Sequence, residues 1–179
     1  MIYKFIDIPN YQIISDKMYD YIVNKTDILR GEAIWNWIDK DQVLNSIPEL
    51  TEAMTNIGLE IERISVIKTK SKTNIRIHID YDKEPRMLWP IKNCVGSFTN
   101  FFKVDPKNIV EKRGVKNDIY YLILHPELAE QIDSLELVAP AMFKPWIAHG
   151  VWSNQKYNDP RLTMTIKFKN NTDHVFPKD

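Results

Sequence analysis

The chain has 179 residues, enough for one domain to bury a core without disulfides or a structural metal, and its 44% hydrophobic and 11% aromatic content excludes extensive disorder. Lysine plus arginine equals aspartate plus glutamate at 24 each, a balance that implies no broad positive surface and disfavours a long nucleic acid as partner. The single cysteine, Cys94, excludes a disulfide framework and a cysteine-based zinc knuckle, and reads as a small core residue.

The opening MIYKFIDIPNYQIIS carries charges and a proline within its apolar stretch, unlike a signal peptide. No run is long enough to span a membrane, so the expectation is a soluble, cytoplasmic protein. Residues 1–60 read mainly as a helical support layer. Ser15 and Asp16 are the expected caps of a helix over 17–24, where Met18, Tyr21 and Ile22 recur at helical spacing. The segment IWNWI (34–38) is amphipathic in either period, and Pro48 opens a helix that runs through Leu50, Met54 and Ile57 to a stop at Gly58.

From Ile61 onward, β-branched and aromatic runs are broken by Asn, Asp, Gly and Pro. They predict strands near 61–69, 74–81, 86–93, 97–104, 118–124, 135–139, 145–152 and 161–168. Lys68, Lys70 and Lys72 in KTKSK read as a solvated strand end, PELAEQI (126–132) as a short helix in a connection, and the polar tail from Asn170 as frayed. The expected fold is mainly β with N-terminal helices: a double-stranded β-helix of jelly-roll, cupin-like type. It forms a single domain over 1–179, with its core at 61–170 and its tail at 171–179.

Three segments carry chemistry. In NIRIHIDY (74–81) strand alternation sets Ile75, Ile77, Ile79 and Tyr81 on one face and Arg76, His78 and Asp80 on the other. An imidazole and a carboxylate on adjacent inward positions supply two ligands of a 2-His-1-carboxylate triad, although His-x-Asp also arises as a plain hydrogen-bonded pair. In PWIAHGVWSN (145–154) a strand delivers His149, the distant imidazole such a triad needs. In RLTMTIKF (161–168) Arg161, Thr163 and Thr165 share one face, and a guanidinium with a hydroxyl two residues on can grip one carboxylate. Of the remaining histidines, His125 reads as a loop residue before a short helix and His174 as exposed in the tail.

These residues resemble the 2-oxoglutarate and Fe(II)-dependent oxygenase superfamily, whose pattern is His-x-Asp, a distant His, then Arg-x-Ser or Arg-x-Thr about a dozen positions later. Here that gap runs from 149 to 161. The segment RMLWPIKNCVGSFTNFF (86–102) is also similar to the one that follows His-x-Asp in small stand-alone bacterial and phage members, and the likeness covers about residues 61–170.

The resemblance implies His78, Asp80 and His149 as ligands of Fe(II), and Arg161 with Thr163 on the 5-carboxylate of the cosubstrate 2-oxoglutarate. Thr163 stands where Ser is commoner, and the residues that meet the 1-carboxylate are open. Asn93, Ser97 and Thr99 are the candidates, each of which alone also fits turn or strand-end polarity. Trp89, Trp146 and Arg86 are candidates for the substrate pocket, although an aromatic at strand spacing is more often core; Arg86, Arg113 and Lys144 are candidates for contact with an anionic substrate, although single cations beside turns are usually just solvated.

The implied activity is a dioxygenase, hydroxylating a small-molecule or peptidyl substrate with release of succinate and CO₂. Two rivals stand beside it. One is a cupin-type metalloenzyme without 2-oxoglutarate, for which His-x-His followed by Glu is the commoner pattern. The other is a non-catalytic jelly-roll binding or assembly module.

Overall fold

The computed structural model describes residues 1–70, 74–113, 119–153 and 158–177. Its strands are β1 (Tyr3–Phe5), β2 (Trp35–Trp37), β3 (Ile61–Thr69), β4 (Ile75–Asp80), β5 (Arg86–Lys92), β6 (Phe98–Lys103), β7 (Ile109–Arg113), β8 (Ile119–Ile123), β9 (Glu130–Glu136), β10 (Ala141–Phe143), β11 (Ala148–Trp152) and β12 (Arg161–Phe168). Its helices are α1 (Tyr11–Lys25), α2 (Lys40–Ser46) and α3 (Pro48–Asn56). None of these is long and apolar enough to cross a membrane.

Two six-stranded antiparallel sheets, ordered β1-β10-β5-β12-β3-β2 and β7-β8-β4-β11-β6-β9, make the expected jelly roll. The first sheet is a partition. One face carries Ile64, Val66, Met87, Trp89, Leu162, Met164 and Ile166 into a core shared with Met18 and Ile22 of α1 and with Leu50 and Met54 of α3. The opposite face of β12 turns Arg161, Thr163 and Thr165 toward the second sheet, so one strand serves both core and cavity through its period of two. Between the sheets, Leu88, Phe101, Leu135 and Phe143 form a smaller apolar cluster.

Two short strands join the mainly helical layer of 1–60: β1 and β2 sit at opposite edges of the first sheet, the latter within IWNWI. Helix α1 begins at Tyr11, with Asn10 in a left-handed conformation before it. Ser15 is therefore no cap. Its hydroxyl donates to Tyr11 O and to Pro90 O of β5, which ties the helix to the sheet. Pro48 does open α3, and Gly58 follows at φ 70 where a Cβ would come within 3.0 Å of the His174 ring.

PELAEQI is not a helix. One 3-10 turn, Pro126–Leu128, precedes β9, whose ladder with β6 outweighs the helix propensity of Glu, Leu, Ala and Gln. The tail is also anchored. Asn170 donates to Gly58 O and accepts from Glu60 N, and Phe176 is fully buried.

Lys68 is no solvated strand end either, being only 3% exposed. Its ammonium donates to the carbonyls of Ile28, Leu29 and Gly31 and holds the turn that leads into β2. Lys70 does lie at the surface, paired with Glu32. Lys72 and the Arg113 side chain fall outside the described residues.

Candidate metal centre

Strands β4 and β11 pair with His78 directly opposite His149. The next matched pair is Ile75 with Val151, so β4 holds one extra residue, a bulge. The bulge breaks the alternation expected of NIRIHIDY: Ile75 lines the cavity with His78, and Arg76 points to solvent. Gly150 faces this irregularity, and a Cβ there would approach Ile75 O to 3.0 Å, so only glycine lets the two backbones lie this close.

The arrangement brings one ligand atom each from His78, Asp80 and His149 within 4.8 Å of one another, with the imidazole centroids 4.4 Å apart. Each side chain is aimed by its spare atom. His78 Nδ1 donates to Arg76 O at 2.9 Å, and His149 Nδ1 donates to Ile147 O at 2.8 Å, which fixes the tautomer that leaves Nε2 as a lone-pair donor. Asp80 Oδ2 accepts from Arg86 Nη1 at 3.1 Å, leaving Oδ1 3.5 Å from His78 Nε2.

His149 is wedged between Phe101 and Phe143. Burial, then the neighbouring His78, push its pKa down to about 4. A neutral imidazole is the form that binds a metal, so the donor set of two imidazoles and one carboxylate fits a divalent transition ion with open positions left over.

Behind the triad lies a narrow chamber of about 80 Å³, lined among others by Thr99, Arg161 and Thr163. Thr99 Oγ1, Thr163 Oγ1 and Arg161 Nε are buried there with no hydrogen-bond partner among the described residues. Arg161 is 4% exposed, and burial pushes its guanidinium below its ordinary value, with only the Cys94 thiol acting in the opposite direction. A buried cation beside orphaned hydroxyls is costly unless an anion joins them, so the chamber fits a carboxylate.

In front of the triad an open cleft of about 1080 Å³ includes Trp35, Trp37, Arg63, Trp146 and Arg86 in its lining, with His78 and Asp80 on its floor. Arg86 thus reaches the triad through its carboxylate, and Trp146 reaches the cleft.

Trp89 does neither. It packs against α1, where its indole donates to Ser15 Oγ at 2.9 Å and meets Tyr11 edge-on. Residues 86 and 89 of one strand face opposite ways, a parity the sequence already contained. Asn93, at φ 54, spends its amide on Asp159 O and Pro160 O, and Ser97 closes the same turn onto Cys94 O. Neither lines the chamber, so of the three candidates for the 1-carboxylate only Thr99 is brought there. His125 pairs with Glu127 at the surface, and His174 meets Ile57 O at the end of α3. Sequence reasoning missed Trp35 and Trp37, although W-x-W in a strand puts both indoles on one face.

No protein-family model matches the chain, and no curated protein matches it. Among solved structures, the non-heme alpha ketoglutarate dependent carbocyclase SnoK from nogalamycin biosynthesis aligns with a TM-score of 0.55 at 10% identity, over 93% of this chain and 79% of its own. The non-heme alpha ketoglutarate dependent epimerase SnoN from the same biosynthesis aligns with a TM-score of 0.52 at 12% identity, over 92% of this chain and 76% of its own. At such identities the likeness is one of fold.

Proposed function

We propose that the chain is an Fe(II)- and 2-oxoglutarate-dependent oxygenase, a hydroxylase that releases succinate and CO₂. The observation that carries this reading is the buried Arg161, with no acidic neighbour among the described residues, beside the orphaned hydroxyls of Thr163 and Thr99 in the chamber that the three ligand residues also line. A metal site alone would suit a cupin-type enzyme without the cosubstrate; the anion chamber favours 2-oxoglutarate.

His78, Asp80 and His149 would hold the iron, and bound iron supplies the place where cosubstrate and dioxygen react. The protein's own part is orientation and exclusion. Ile147 O and Arg76 O keep both imidazoles in their binding tautomer, and Arg86 holds the Asp80 carboxylate in line. Arg161 and Thr163 would grip the 5-carboxylate, while Thr99 offers a hydroxyl to the other end of the molecule. The apolar walls of Ile67, Leu88, Phe143 and Val151 keep bulk water from the chamber. The substrate, a small molecule or peptidyl side chain, would enter by the open cleft.

Anaerobic titration of the protein with Fe(II) and then 2-oxoglutarate tests this directly. The wild type is expected to develop the weak visible charge-transfer band of the chelate, and His149→Ala to lose it. Iron binding with no spectral response to 2-oxoglutarate would leave the cupin-type alternative standing, and no metal binding at all would leave the non-catalytic module.

A further inference from the structure

The open cleft has a composition unlike that of the molecule around it. Four cations line it, Arg63, Lys83, Arg86 and Lys167, against two carboxylates, Asp80 and Asp82. The two carboxylates are already engaged: Asp80 by Arg86, and Asp82 by Arg86 and Lys167. Lys167 also reaches Glu62. Arg63 and Lys83 remain without an acidic partner among the described residues, and the Arg63 guanidinium carbon instead sits over the Trp37 ring at 4.0 Å. A chain of zero net charge therefore keeps an excess of positive charge in one concavity.

The same wall is aromatic. Trp35 and Trp37 stand side by side at 6.0 Å on the edge strand β2, and Trp146 and Tyr121 also line the cleft. All four residues are only partly buried, so part of each ring surface stays open to water even where Arg63 covers Trp37. Trp35 lines both cleft and chamber, and its buried indole N–H has no acceptor among the described residues. An unsatisfied donor beside partly exposed rings and two cations without acidic partners describes a binding surface.

We infer that the cleft takes a small molecule that combines a flat ring with a negatively charged group. The ring lies against the indoles of Trp35 and Trp37, and the anion faces Arg63 and Lys83. This rests on the oxygenase reading only in calling that molecule the substrate; the binding itself needs no turnover.

Equilibrium dialysis of three probes on the full chain tests the inference: 1-naphthylacetate, its uncharged amide, and nonanoate, which keeps the charge without the ring. The naphthyl carboxylate is expected to bind best. Arg63→Gln or Lys83→Gln, both changes at accessible side chains, should weaken it by roughly fivefold while leaving the amide unchanged. Trp37→Phe should weaken carboxylate and amide alike. Equal binding of the acid and its amide, equal binding of nonanoate, or preference for a short single-stranded oligonucleotide over all three would overturn the inference. Because dialysis is run without iron, any of these outcomes leaves the iron and 2-oxoglutarate titration intact, and failure of that titration leaves the ring-anion site to be judged on its own.

Discussion

Two buried arginines line the chamber with the triad, and they are handled differently. Arg86 is surrounded by carboxylates, with Nη1 on Asp80 and Nη2 on Asp82, whose other partner is Lys167. Arg161, in the chamber behind, has no acidic neighbour among the described residues, and burial lowers its pKa. A compensated guanidinium is a fixture that orients its partner; an uncompensated one is a receptor for a charge from outside. The contrast separates what the fold needs for itself from what it holds ready for a ligand.

The largest effect expected from that contrast is on Arg161→Met. It should raise the 2-oxoglutarate concentration needed for half-maximal response by about two orders of magnitude or more, with Fe(II) affinity nearly unchanged, as read in the anaerobic titration. Next comes Arg86→Met, which frees the Asp80 carboxylate and leaves Asp82 with Lys167 alone. Fe(II) affinity should fall by about tenfold, with a smaller change in cosubstrate affinity for the loaded protein. If both variants shifted the same quantity, the division between fixture and receptor would collapse.

A third test uses pH. His149 has a folded pKa of about 4, below that of an unfolded histidine near 6.5, so between these values the unfolded chain binds more protons. Its contribution to stability is complete above the unfolded value and is lost as pH falls toward the folded one. For the metal-free chain, denaturant unfolding at about pH 5.5 should show roughly 1 kcal/mol of acid sensitivity in the wild type that is missing from His149→Gln. The smallest effect belongs to Thr163→Val, which removes one orphaned hydroxyl and should cost about threefold in 2-oxoglutarate affinity.

Much of this was legible in the chain because it rests on period two. Strands β3 and β12 fall where alternation places them, with Arg161, Thr163 and Thr165 sharing a face. His78 and Asp80 reach the cavity as read, but for a reason the alternation hides: the bulge that turns Ile75 inward also brings Arg76 O to the His78 ring. Strands β1 and β10 span three residues each, too short to show a period, and β9 carries helix-forming side chains that its pairing with β6 overrides. Trp89 is a pocket candidate by its chemistry, but its position in β5, odd relative to Arg86, puts it in the helical core, the commoner place for a strand aromatic. Buried lysines are rare enough that the role of Lys68 could be seen only once the turn at Ile28 and Gly31 was folded around it.

That lysine has a wider consequence. The tryptophan wall hangs from the rim of its sheet by three residues of ladder, the buried Lys68 ammonium and a surface pair from Lys70 to Glu32, on a segment that carries none of the reactive groups. Changes within residues 27–38 can widen, narrow or retilt the entrance without replacing a triad residue or Arg161. Selectivity and reactivity are thus free to drift independently, as a door can be rehung without moving the hearth.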